Sequence, residues 1–107
     1  MKTKTINGVI IKLGETAKEN WELIDNSNKK HIWIHLKSFP SGHVIIEDEL
    51  PNTTLLLEAA NFCKENTKYR YLQNLKVNIT QCSNLKKGKN IGEVFFIKNK
   101  HVRELSL

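Results

Sequence analysis

A chain of 107 residues and 12.4 kDa has room for one modest core and no second lobe, which excludes a lobe-and-cleft enzyme and predicts a single domain over residues 1–107. Its 39% hydrophobic and 26% charged residues describe a globular chain. No apolar run nears the roughly 20 residues of a membrane span, so no membrane partner is expected. The formal net charge of +6 is lopsided: residues 1–63 carry seven Lys against eight acids, whereas residues 64–103 carry ten Lys and Arg against Glu65 and Glu93. A one-sided field of that sign attracts polyanions, of which RNA and DNA are the commonest in a cell.

From the N-terminus, Thr3–Ile6 and Val9–Leu13 flank Asn7-Gly8, the dipeptide of a tight hairpin turn. Lys12 interrupts the short apolar patch at Val9-Ile10-Ile11, so the segment does not read as a signal peptide. Ala17, Trp21 and Ile24 recur at four and three residues and predict a short amphipathic helix. Residues 31–37 alternate as a strand, a Pro40-Ser41-Gly42 turn follows, and 43–47 return as a second strand. Alternation sends Ile32, Ile34 and Leu36 to one face and His31, Trp33, His35 and Lys37 to the other. The second face needs a covering layer or a ligand.

Pro51 precedes a helix predicted over about Thr53–Asn66, with Leu55, Leu56, Ala59, Phe62 and Cys63 on its apolar side. Leu75–Thr80 alternates as a strand, and Gln81–Asn90 reads as a basic loop. Ile91–Ile97 and His101–Leu105 are expected to pair with each other across Lys98-Asn99-Lys100. The fold class is therefore α+β, a mostly antiparallel sheet of about six or seven strands with two helices, the second packed on the sheet. Cys63 and Cys82 stand far apart, outside any zinc or redox spacing, which predicts two reduced thiols in a cytoplasmic protein.

Several spaced blocks resemble, in order, the NFACT-R domain, the RNA-binding module of ribosome-quality-control factors of the NEMF and RqcH type. They are Gly14 to Asn20, the block Ile32-Trp33-Ile34-His35-Leu36-Lys37 with Pro40-Ser41-Gly42-His43-Val44, Glu58-Ala59-Ala60, Thr67-Lys68-Tyr69-Arg70, Val77 to Thr80, Lys86-Lys87 and Gly92-Glu93-Val94. The resemblance spans roughly residues 8–105. It departs at Ser38, where the family has Asp, at the inverted Ser41-Gly42 pair, and in a short loop before Gly92. Ser83 to Lys87 is closest to the short branch of the family found in a coiled-coil protein that senses extracellular DNA. The resemblance implies an RNA-binding module and does not carry over the tailing activity of the larger factors.

The candidate nucleic-acid-binding residues are Trp33, His35, Lys37, His43, Lys68, Arg70, Lys86 and Lys87. The cations would neutralise phosphates, while Trp33, Tyr69 and Tyr71 offer rings for stacking on bases. Each has a plainer reading: Trp33 and His35 as core, the lysines as a solvated surface, one tyrosine closing the core. His31 and His35, four apart on a strand, lie about 13 Å from each other, too far to share a metal ion. No metal or cofactor is expected, and no catalytic residue is assigned. The expected partner is RNA, tRNA or rRNA, or else DNA, in a ribosome-linked setting. A protein-interaction adaptor is the rival reading, and a metal-independent histidine ribonuclease the remaining enzyme alternative.

Overall fold

In the computed structural model, which describes residues 1–107, eight strands and two α-helices follow the order β1 (Lys2–Ile6), β2 (Val9–Leu13), α1 (Ala17–Asn26), β3 (Ile32–Leu36), β4 (Val44–Ile46), α2 (Thr53–Glu65), β5 (Lys76–Gln81), β6 (Leu85–Lys87), β7 (Val94–Phe96) and β8 (Arg103–Ser106). Six of the strands form one antiparallel sheet in the order β1-β2-β4-β3-β5-β8; β6 and β7 form a separate two-stranded ribbon. The chain is α+β, as its patterning implies. Neither helix is long and apolar enough to cross a membrane.

Local chemistry explains the ends of the elements. Asn7 and Gly8 both adopt positive φ, the requirement of the turn that joins β1 to β2. Thr16 caps α1 by accepting from Glu19 N at 3.1 Å, and Asn52 caps α2 by accepting from Leu55 N at 2.8 Å. α2 stops where Asn66 turns its side-chain amide back onto Phe62 O, 2.7 Å away.

The sheet is covered on both sides. On one face Ile11, Leu13, Ile32, Ile34, Leu36, Val44, Ile46, Val77 and Ile79 meet Leu55, Leu56, Ala59, Ala60 and Cys63 of α2. On the other, Trp33 and Ile45 pack with Leu23 and Ile24 of α1, with Cys82, and with Leu85, Val94 and Phe96 from the ribbon. The buried side of α1 is thus Asn20, Leu23 and Ile24, one step round from the predicted stripe, and Ala17 is exposed. Both cysteines are buried free thiols.

The C-terminal pairing differs from the expected hairpin. β7 pairs with β6, Leu85 opposite Phe96 and Lys86 opposite Phe95, while β8 pairs with β5 at the sheet edge. The reason is burial. Leu85, Val94 and Phe96 together can roof Trp33, and a local β7–β8 hairpin would leave that tryptophan uncovered. Asn84 seals the change of layer by accepting from Lys98 N and donating to Lys98 O, both at 2.9 Å.

Candidate nucleic-acid interface

Two glycines create the site by letting backbones meet. A Cβ on Gly42 would stand 2.3 Å from Gly14 O, and one on Gly14 would stand 2.1 Å from Asn20 Oδ1. With neither present, Gly14 N donates to His43 O at 3.0 Å and His43 N donates to Asn20 Oδ1 at 3.1 Å. The start of α1 is thereby locked to the Pro-Ser-Gly turn. Ser41 fixes the same turn from below, accepting from Leu36 N at 3.1 Å and from Cys63 Sγ of α2 at 3.4 Å. Burial pushes the Cys63 thiol above its ordinary pKa, so it serves here as a hydrogen-bond donor and not as a thiolate.

Between these segments opens a cleft of about 450 Å³. Its walls are the first turn of α1, the Ser41-Gly42-His43 turn, the Asn66 to Tyr69 segment after α2, and Ile91-Gly92 from the ribbon. Residues from four of the family-like blocks, far apart in sequence, therefore line one polar concavity.

At its base sits a ring cluster. Trp33 and His35 stack at 5.6 Å with their planes within 2°, and His43 stands edge-on to both, 5.4 and 5.1 Å away. His35 Nδ1 lies 2.6 Å from Leu36 O, which fixes the proton on that nitrogen because a carbonyl only accepts. Burial lowers the pKa of His35, and burial together with the neighbouring His35 brings His43 down to about 3. Both imidazoles are neutral at pH 7. Trp33 Nε1 and His43 Nδ1 are buried without a hydrogen-bond partner in the protein.

The eight predicted residues are only partly brought together. His35, His43 and Lys68 line the cleft. Trp33 takes its plainer reading: at 2% exposure, with Phe96 edge-on 5.6 Å away, it is core, because the ribbon and α1 together cover its ring and leave no face on which a base could stack. Arg70 is exposed just beyond the rim, its guanidinium 4.5 Å over the Tyr71 ring and its Nη1 on Thr67 O. Lys37 projects from the same sheet face as His35, where it pairs with Glu104. Lys76, across the ladder on β5, is exposed with no carboxylate partner.

Lys86 and Lys87 belong to the ribbon. Lys86 faces solvent opposite Phe95, but Lys87 is engaged, 2.6 Å from Asp25 and 5.1 Å over the ring of Trp21, whose Nε1 donates to Glu93 O. It therefore ties the ribbon to α1. The later cations consequently do not form one continuous patch: Lys68 and Arg70 gather at the cleft, Lys64 lies in the last turn of α2, and Lys86 and Lys87 belong to the ribbon.

Glu15, Thr16, Asn20 and Asn66 line the cleft and were not singled out as site residues from sequence. For the first three the signal was present, since they fall in the Gly14–Asn20 block. Asn66 carried none beyond ending a helix. Tyr69 packs on Phe39 at 4.8 Å while lining the cleft, and Tyr71 is 81% exposed. No three His, Cys, Asp or Glu side chains come together as a metal site would require.

Comparison with known proteins places this geometry. The model of the NFACT protein RNA binding domain family matches residues 1–97. The Rqc2 homolog RqcH of Bacillus subtilis is 26% identical over 85 residues, 78% of this chain and 15% of its own length. The C-terminal part of the fibronectin/fibrinogen-binding protein of Streptococcus suis has the same fold, with a TM-score of 0.87 at 24% identity over 98% of this chain and 43% of that one. The chain thus spans less than half of either relative.

Proposed function

The chain belongs to the NFACT RNA-binding domain family, and on that premise we propose that it binds structured RNA, tRNA or rRNA, in ribosome quality control, as a non-enzymatic cytoplasmic module. One observation carries the reading: family-like segments distant in sequence meet at one polar cleft whose rim presents Lys68, with Arg70 beside it. The backbone of the RNA crosses that rim, Lys68 and Arg70 neutralise phosphates, and the path continues over the sheet face toward Lys37 and Lys76. Tyr71, exposed and stacked on Arg70, is available to an unpaired base. Phosphate contacts carry no base information, so sequence preference is low. With His43 held at a pKa of about 3 and His35 lowered by burial, neither imidazole is protonated to act as general acid at neutral pH, which supports binding over cleavage.

Mobility shift with tRNA and with a DNA duplex, at two salt concentrations, tests the reading. Contact with about five phosphates predicts a log–log salt slope of about −3.5 to −4.5. Equal affinity for the duplex makes the module a general nucleic-acid binder, and no shift at low salt overturns RNA binding. A second reading, protein docking, rests on the exposed Phe95 and Ile97 of the ribbon side, Phe95 standing opposite Lys86.

A further inference from the structure

Resting on the RNA reading, we propose that the inner end of the cleft is a dedicated single-phosphate subsite, in which one phosphate group of the RNA seats on the N-terminus of α1 between the free amides of Ala17 and Lys18, His43 and Lys68. Three observations meet there. First, α1 is a ten-residue helix whose opening amides lack acceptors: Thr16 Oγ1 takes Glu19 N and Thr16 O takes Asn20 N, and neither Ala17 N nor Lys18 N has a partner in the protein. Such amides, backed by the helix dipole, favour an anion. Second, His43 lines the same cleft at 3% exposure with neither ring nitrogen hydrogen-bonded in the protein; Nδ1 is sealed from solvent, which leaves Nε2 as the nitrogen that reaches the cleft. A phosphate oxygen accepts from the N–H that a neutral imidazole carries on that nitrogen. Third, Lys68 supplies an exposed positive charge at the rim, held by contact of its Nζ with the Tyr69 ring at 5.4 Å.

The opposing charge is Glu15, a cleft-lining residue whose carboxylate is partly neutralised by the N-terminal ammonium 2.8 Å away. Glu19 is turned away, accepting from Glu15 N at 2.9 Å. The subsite is therefore tuned, with one carboxylate working against it, which suits transient capture of a phosphate within a larger polyanion more than storage of a free ion.

The subsite is tested with amide NMR titrations of inorganic phosphate, adenosine 5′-monophosphate and adenosine into the full chain. Phosphate and the nucleotide should shift the Ala17 and Lys18 amides and the His43 ring saturably, and adenosine should not. The decisive variant is Ala17→Pro. Proline is well tolerated at the first position of a helix, and Thr16 at φ −129° and ψ 160° has the backbone that a residue before proline adopts, so the variant folds while one amide donor disappears. It should weaken phosphate binding about tenfold, the share of one charge-assisted hydrogen bond, with an unchanged melting temperature. Glu15→Gln should tighten it. If tRNA binds while phosphate leaves the Ala17 and Lys18 amides unmoved, or if Ala17→Pro binds phosphate as the wild type does, the subsite is wrong and the RNA reading stands. If tRNA does not bind at all, the RNA reading falls first.

Discussion

On the α2 side of the sheet every residue that β3 contributes is aliphatic and buried; on the α1 side the same strand contributes buried Trp33 and half-buried His35, with exposed Lys37 just past its end. The first face is closed by a thirteen-residue helix along its middle strands, the second by a ten-residue helix and a three-residue ribbon that stop short of the strand's end. Where cover stops, polar groups remain: the His43 ring at the cleft base, the α1 amides free, Lys68 at the rim. The larger core lies on one side of the sheet, and the proposed recognition site is the unfinished margin of the other, beside the smaller core around Trp33.

The largest expected effect tests whether Trp33 belongs to the stable or the recognising part. Trp33→Ala should destabilise the domain by about 3–5 kcal/mol, as loss of a fully buried ring does, measured by urea unfolding. A folded variant of normal stability but weakened RNA binding would return Trp33 to the interface. Next comes pH. The folded-state pKa of His43, about 3, lies below the unfolded value of about 6.5, so between these the unfolded chain binds more protons and stability is lost as pH falls. Between pH 7 and pH 5 the loss from His43 amounts to about 2 kcal/mol, and His35, lowered in the same direction, adds to it. Carboxylates with pKa held down, Glu19 and Glu104, act only at lower pH. His43→Gln should flatten the profile in that window.

Charge reversal separates the cleft from the ribbon. Lys68→Glu with Arg70→Glu should weaken tRNA binding by about 1–2 kcal/mol, read by fluorescence anisotropy, with the urea midpoint unchanged. Lys87→Glu, by contrast, should lower stability by up to about 1 kcal/mol, because its partner Asp25 then faces a like charge. Smallest of all is Ser38, which adopts φ +71°, a left-handed conformation that suits Asn or Asp better than Ser. Ser38→Asn should stabilise by about 0.5 kcal/mol, detectable as a small rise in melting temperature.

Strong local rules made much of this molecule legible from sequence. The Asn-Gly hairpin, the Asn52-capped α2 and the alternation of β3 lie within one or two residues of their predicted bounds. The β7–β8 hairpin failed because its true partners are set by burial: β6 is three residues long and lies inside a stretch too polar to read as a strand, yet Leu85 is needed over Trp33. The site was legible in its blocks and illegible in its assembly. His35, His43 and Lys68 were named, but charge runs do not tell which cations a fold gathers, and the pairing of Lys87 with Asp25 depends on a contact 62 residues apart. The approach of His43 to His35 is local, made by the turn between β3 and β4, whereas the role of Asn20 as acceptor for His43 N depends on the close contact that Gly14 permits.

A titration of tRNA into the isotope-labelled chain, followed amide by amide, tests the central claim most directly. The account predicts that signals of residues 15–18, 41–43, 66–70 and 91–92 shift or broaden first, with α2's outer face silent. Perturbation centred on Lys86, Phe95 and Ile97, with the cleft unmoved, would contradict it.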